Sequence, residues 1–217
     1  MMRSKFDQQL DALNHELIAT GALCENAIAM SAKALVAGDT ALAAAVGELS
    51  AQINQKERDI EGMCMKLLLQ QQPVARDLRT ISSALKMVTD LERIGQQSAD
   101  IAEIILTGCI RTANETPHIR DMAMAVIKMV TESIDAFVRR DTALAHAVIG
   151  YDDVVDECFD AVKATLIDRL GRGEADGELT LDLLMIAKYF ERIGDHAVNI
   201  AQWVCFSITG NREGDAG

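Results

Sequence analysis

The sequence predicts an all-α fold of two tandem repeated three-helix bundles, because much of the sequence is repeated and its apolar residues follow helical spacing. Residues 92–95 (Glu-Arg-Ile-Gly) recur 99 positions later as residues 191–194. Further upstream, residues 39–46 reappear with one substitution as residues 141–148, at an offset of 102. An internal repeat over most of a chain indicates that each copy is one structural unit.

Helical spacing of apolar residues extends over nearly the whole chain. In the last segment they recur at alternating steps of three and four, which is typical of a buried helical stripe: Leu183, Ile186, Phe190, Ile193, Ala197, Ile200 and Val204. The pattern predicts helices near residues 4–36, 40–70, 74–106, 118–139, 142–169 and 179–209. We assign the first three helices to a bundle over residues 1–107 and the other three to a bundle over residues 117–210.

The boundaries between these helices carry recognisable signals. Gly38 suits the left-handed exit of the first helix, and Asp39 suits the N-cap of the second because its carboxylate accepts free amide hydrogens. The other boundaries are marked by first-turn prolines at Pro73 and Pro117, a cap at Thr116, and helix stops at Gly108 and Gly171. Because the chain contains only 2 prolines, long uninterrupted helices are permitted elsewhere.

Composition restricts the classes of function. The formal net charge of −12 repels nucleic acid and acidic membrane surfaces. The 5 cysteines form no CxxC pair, which indicates reduced thiols rather than a disulfide framework. We find no signal peptide and no apolar run long enough to span a bilayer, and therefore expect a cytoplasmic protein that reaches a membrane only through partners.

An acidic stripe is the main candidate site. Glu191, Asp195 and Asn199 are spaced four apart, so they share the face of the last helix opposite its apolar stripe. The preceding helix carries Asp152 and Asp156 at the same spacing. Two neighbouring acidic helices can supply the oxygen ligands that hard cations prefer, which predicts a site for a divalent or iron-type metal ion.

The first half carries a weaker version of this stripe. Its candidate ligands are Glu57 on the second helix and Glu92 and Asp100 on the third. Gln96 stands where the second half has Asp195, and an amide brings no charge to a cation site. We therefore expect metal to occupy the second half first.

Two alternatives remain open from the residues alone. The stripe can be a solvated face that Lys188 and Arg192 neutralise, with no metal. His196 can be a nitrogen ligand or a histidine held by an ordinary hydrogen bond. A ferritin-like di-iron core is disfavoured, since it needs inward-facing Glu-x-x-His motifs.

Arg76 and Arg79 lie in the first turns of the third helix, where cations oppose the helix dipole. Asp77 beside them can compensate for this charge. Otherwise the two arginines form a basic spot, on an acidic surface, that meets an acidic partner.

Two long motifs resemble signatures of the PhoU family of phosphate-signalling proteins. Residues 72–79 (Gln-Pro-Val-Ala-Arg-Asp-Leu-Arg), followed by residues 90–95 (Asp-Leu-Glu-Arg-Ile-Gly), resemble the first-half signature. Residues 188–201 resemble the second-half signature. The resemblance covers nearly the whole chain in length, repeat and helix order.

The resemblance implies a cytoplasmic, often homodimeric regulator of phosphate uptake. Such a protein couples the ATPase subunit of a phosphate ABC transporter to a sensor histidine kinase and restrains the phosphate-starvation response. Family members can hold metal ions on Glu/Asp-x-x-x-Asp motifs. This pattern is intact at Glu191 and Asp195, whereas at Glu92 it meets Gln96.

No catalytic signature accompanies these features, so we do not expect an enzyme. We find no nucleophile with a nearby base, no phosphate-cradling glycine-rich loop and no organic-cofactor fingerprint. The alternative to a metal-bearing signalling adaptor is a metal-free helical scaffold whose acidic face docks a basic protein partner.

Overall fold

Six α-helices make up the protein in a computed structural model, which describes residues 2–71, 73–107, 117–174 and 176–211. No strand occurs in those ranges. The helices are α1 (Met2–Ala37), α2 (Thr40–Gln71), α3 (Ala75–Thr107), α4 (Pro117–Arg139), α5 (Thr142–Gly171) and α6 (Gly177–Thr209). The predicted all-α fold of repeated bundles is confirmed, and the predicted helix ends agree to within about two residues.

The α1–α2 and α4–α5 junctions use the same left-handed turn and aspartate cap. Gly38 has φ 63° and the amide of Leu42 donates to Asp39 Oδ1 at 3.0 Å. In the second half Arg140 has φ 55°, and the amide of Leu144 donates to Asp141 Oδ1 at 3.0 Å. The predicted cap at Asp39 is confirmed, and the repeat reproduces it.

Three other boundaries differ from prediction or lie outside the described residues. Pro73 is not in the first turn of α3, because the helix begins at Ala75. Helix α6 begins earlier than predicted, since Asp176 accepts hydrogen bonds from the amides of Glu178 and Leu179 at 2.8 and 3.1 Å. The predicted signals at Gly108 and Thr116, and Cys109, lie outside the described ranges.

Helices α1–α3 form one bundle and α4–α6 the other, and the bundles pack through α3 against α6 and α1 against α4. The α3–α6 pair is antiparallel, because Asp90 meets His196 while Arg79, nearer the start of α3, meets Gly210 at the end of α6. The predicted stripe on α6, from Leu183 to Val204, is at most 4% exposed. The cysteines within the described residues are free thiols.

The glycines of the repeated Glu-Arg-Ile-Gly motif bring two helices close together in each half. A methyl group built on Gly95 would lie 2.8 Å from Cδ1 of Ile53, closer than any side chain permits. In the second half, a methyl group on Gly194 would lie 3.1 Å from Oδ1 of Asp152. The repeat therefore places a buried isoleucine in one half where the other half has a carboxylate.

Candidate metal centre

Asp152 is a half-buried carboxylate of the acidic cluster. Its Oδ1 faces the backbone of α6 at Gly194, and its neighbour along α5, Val155, is fully buried. Burial, followed by the charges of Asp156, Asp195 and Glu191, raises the pKa of Asp152 to about 6. This carboxylate thus shares one electrostatic environment with those three and with the adjacent Asp153.

Asp195 belongs to the same cluster. Its pKa is raised, chiefly by burial and then by the charge of Glu191, with a smaller contribution from Asp156. The neighbouring side chains of Lys188 and His196 act in the opposite direction on this pKa. The structure therefore brings together four of the predicted second-half ligands: Asp152, Asp156, Glu191 and Asp195.

Glu191 is less solvated than its sequence position predicts. Its side chain is 16% exposed and lies at the contact between α5 and α6 rather than on an open face, which corrects the expected position opposite the core. Lys188 Nζ donates to its Oε1 at 2.5 Å, as the neutralised-stripe alternative predicted. Its Oε2 is buried and has no hydrogen-bond partner. Such an oxygen is costly to leave unpaired, which favours a cation or a water beside it.

Asn199 and His196 do not face this cluster. His196 Nδ1 lies 2.9 Å from Asp90 Oδ1, and Asn199 Nδ2 donates to the same oxygen at 3.4 Å. Both side chains therefore tie α6 to α3 across the two bundles. Asn199 is not positioned as a metal ligand. Of the two alternatives for His196, the structure shows the histidine held by a hydrogen bond. The sequence assigns Asp90 no role beyond its place in the motif at residues 90–95, since nothing local indicates its partner in the other half.

The corresponding place in the first half holds fewer free carboxylates. Burial, and then the charges of Glu92 and Glu61, raise the pKa of Glu57. Glu92 Oε2 lies 3.6 Å from Nε of Arg93, so this carboxylate has a cation of its own.

Gln96 adds no charge to the first-half cluster. Its amide donates to Asp100 Oδ1 at 2.9 Å, which engages the additional candidate ligand. The position equivalent to Asp152 is the fully buried Ile53. The two halves therefore differ in the direction that the sequence predicts, with four carboxylates together in the second half and three in the first, namely Glu57, Glu61 and Glu92.

The donor chemistry of the second-half cluster fits a hard cation, but its side chains are not arranged for coordination. Carboxylate oxygens are the ligands that magnesium, calcium or manganese prefer, and one of the four carboxylates, Glu191, has a buried oxygen without a partner. Within the described ranges, however, no group of three or more Asp, Glu, His or Cys side chains is placed so that it could hold a metal ion. Binding therefore requires side-chain rotation, and Lys188 must leave Glu191 Oε1 if both oxygens are to coordinate.

The fold and this cluster define a class of protein: two repeated three-helix bundles joined along α3 and α6, with an acidic cluster that is strong in one half and weak in the other. None of the described helices has a segment long and apolar enough to cross a bilayer. The PhoU domain family matches residues 17–105 and 119–204. The chain belongs to the PhoU family.

Two known relatives are similar over most of their length. The phosphate-specific transport system accessory protein PhoU homolog of Pseudomonas aeruginosa is 36% identical over 210 residues, which cover 95% of this chain and 86% of the relative. The homolog of the same name from Synechocystis is 34% identical, with 97% and 94% covered.

Solved structures agree with the fold. The crystal structure of PhoU from Pseudomonas aeruginosa has a TM-score of 0.87 at 35% identity, with 95% of this chain and 100% of that chain covered. The phosphate transport system regulatory protein PhoU from Streptococcus pneumoniae has a TM-score of 0.88 at 25% identity, with 95% and 98% covered.

Proposed function

We propose that this chain is a non-enzymatic accessory protein of a phosphate-specific transport system, acting in the cytoplasm as a homodimer. It couples the ATPase subunit of a phosphate ABC transporter to a sensor histidine kinase and restrains the phosphate-starvation response while phosphate is plentiful. The observation that carries this proposal is the match of both halves to the PhoU domain, together with near-full-length relatives named as transport accessory proteins.

Physical association with the two partners tests the coupling. We expect the tagged chain to co-purify from detergent-solubilised membranes with the transporter ATPase subunit and with the histidine kinase. A tagged helical protein of similar net charge serves as the control, because a charge of −12 can attract basic proteins without specificity. Recovery of neither partner above this control would contradict the proposed coupling.

We further propose that Asp152, Asp156, Glu191 and Asp195 hold a hard divalent or iron-type cation. The unpaired Oε2 of Glu191 and the raised pKa values of Asp152 and Asp195 support this assignment. A bound cation would supply positive charge that offsets the repulsion among these carboxylates. It would thereby hold α5 against α6, the helices that carry them.

A metal-free scaffold is the second candidate, and one observation favours it. Lys188 already neutralises Glu191 at 2.5 Å, so part of the cluster's charge is balanced without a cation. In that case the two exposed carboxylates of the cluster, Asp156 and Asp195, face a basic surface of a partner protein.

Metal affinity is expected to differ between the halves. Because affinity for a hard cation rises with the formal charge of its ligands, manganese or iron should fill the second half first. Gln96→Asp should strengthen or create the first-half site, and Asp195→Gln should weaken the second about tenfold or more. Titration of wild type and both variants by calorimetry checks this. Equal affinity of the two halves, or no response to either substitution, would contradict the ligand assignment and favour the metal-free scaffold.

A further inference from the structure

The contact between α1 and α4 is closed at one end and opens into a groove at the other. Gly21 and Ile134 lie so close together that a methyl group on the glycine would overlap Cδ1 of the isoleucine. One turn further along α1, the hydroxyl of Thr131 donates to Glu25 Oε1 at 2.8 Å. Towards the end of α1 and the start of α4, the two helices leave a space of about 440 Å³ between the bundles.

Small side chains keep this groove open, and larger apolar side chains border it. Ala29, Ala32 and Ala123 line its walls, and their methyl groups are too short to fill the space between the helices. Val36 and Met124 also line the groove and are 52% and 62% exposed. Single exposed apolar side chains are ordinary on a protein surface, but apolar side chains that line a concave space are typical of a binding surface.

The charges on the groove are positive. Of the described residues that line it, only Lys33 and Arg120 are charged, and neither forms an ion pair with a carboxylate of the described residues. The nearby carboxylates are placed elsewhere. Asp39 caps α2, and Asp121 lies near α5, where burial and then the charge of Asp121 raise the pKa of Cys158. The groove is therefore a basic place on a protein whose formal net charge is −12.

The helical walls of the groove restrict the kind of occupant. Away from their terminal turns, α1 and α4 use their backbone amides and carbonyls within the helix, so an extended strand would find few main-chain partners there. A helix satisfies its own backbone and can place an apolar face in such a groove. The wall from Ala29 to Ala37 extends over about 12 Å at 1.5 Å per residue, which accommodates about two turns of a helix.

We propose that this groove docks an amphipathic helix of a partner protein, whose apolar residues contact Val36 and Met124 and whose Asp or Glu residues pair with Lys33 and Arg120. Burial of the exposed apolar side chains would drive the association. The complementary charges would select an acidic helix and reject a basic one. The inference goes beyond the proposed function and holds for any partner that carries such a helix.

The test is fluorescence anisotropy of labelled synthetic peptides titrated with the purified full chain. The peptides have about 14 residues, near the length at which isolated helices become stable. The first carries leucines on one helical face with glutamates beside them, the second has lysine in place of each glutamate, and the third has alanine in place of each leucine. We expect the first to bind about tenfold or more tightly than either of the others.

This order of affinities is diagnostic because non-specific attraction to a chain of net charge −12 would favour the lysine peptide instead. No binding of the glutamate–leucine peptide, or equal or tighter binding of either of the other peptides, overturns the proposal.

Reversal of the two charges locates the binding site. Lys33→Glu combined with Arg120→Glu should shift the preference to the lysine peptide. The matched control, Lys66→Glu combined with Lys86→Glu, changes the net charge equally at exposed positions on α2 and α3 and should keep the preference for the acidic peptide. An unchanged preference in the first variant, or the same shift in the control, contradicts docking in the groove.

A substitution of one exposed methionine tests the apolar contact. Met124→Glu should weaken binding of the acidic peptide about tenfold or more, because it removes apolar contact and adds a repelling charge. Met65→Glu is the control, since Met65 is 50% exposed on α2, outside the groove. Equal affinities of the two variants contradict the site. A homodimer that is lost in Met124→Glu and kept in Met65→Glu, measured by sedimentation, would assign the groove to a second copy of the chain and overturn the proposal.

Discussion

Asp152→Asn is expected to stabilise the chelator-treated protein at pH 7 by about 1 to 2 kcal/mol. A carboxyl pKa raised from 3.8 to about 6 corresponds to about 3 kcal/mol against the ionised form. We expect less than this, because solvent screens a group that is only half-buried. Asparagine keeps the shape and removes the charge that Asp156, Asp195 and Glu191 repel.

The pH dependence of stability has a definite sign. Because the folded pKa of Asp152 is above its unfolded value, the stability that this carboxyl contributes is fully present below about pH 4 and is lost as the pH rises through about 6. Wild type should therefore lose more stability than Asp152→Asn between pH 5 and pH 7.5. Urea unfolding of both proteins at the two pH values measures this difference.

The control for this prediction is Asp160→Asn, which removes an exposed carboxylate further along α5. Its free energy of unfolding should change by less than about 0.5 kcal/mol at either pH. If Asp152→Asn were less stable than wild type at pH 7, the carboxylate would be engaged in a stabilising contact. The repulsive cluster, and with it the reason for a cation there, would then be wrong.

Metal should reverse the order of stability. A cation that binds only the folded wild type stabilises it by mass action, and Asp152→Asn removes one of the proposed ligands. With manganese added, the melting temperature of wild type should rise more than that of the variant. A bound cation would remove the charge repulsion that destabilises the metal-free protein, and this relief would contribute to the free energy of cation binding.

The helices and their equivalence in the two halves could be predicted because those signals are local. The apolar stripe on α6 and the capping pair Gly38-Asp39 are patterns of neighbouring residues. The repeat is found by comparing such local patterns between the two halves. The start of α6 differs from the prediction because the capping role of Asp176 depends on its backbone conformation, which the spacing of apolar residues does not reveal.

The geometry of the site could be predicted only in part. That Asp152 and Asp195 belong to one cluster followed from two acidic helices being neighbours. That His196 and Asn199 instead turn to Asp90 depends on how α3 packs against α6, between residues more than 100 positions apart. The burial of Glu191 depends instead on how α5 packs against α6, because an i, i+4 pattern defines a face but not what covers it.

The second large effect concerns gene expression. If the chain restrains a sensor kinase while phosphate is plentiful, its loss should leave the kinase active whatever the supply. We expect a reporter of a phosphate-starvation gene to be expressed in a deletion strain at high phosphate at about the level seen in starvation. Wild-type protein supplied from a plasmid should restore repression.

Expression of that starvation reporter in high-phosphate medium, compared between the deletion strain and its parent, tests the central claim most directly. The proposed function predicts strong expression in the deletion strain, repression in the parent, and repression again in the complemented strain. Normal repression in the deletion strain would contradict the claim that this PhoU-family protein restrains the phosphate-starvation response.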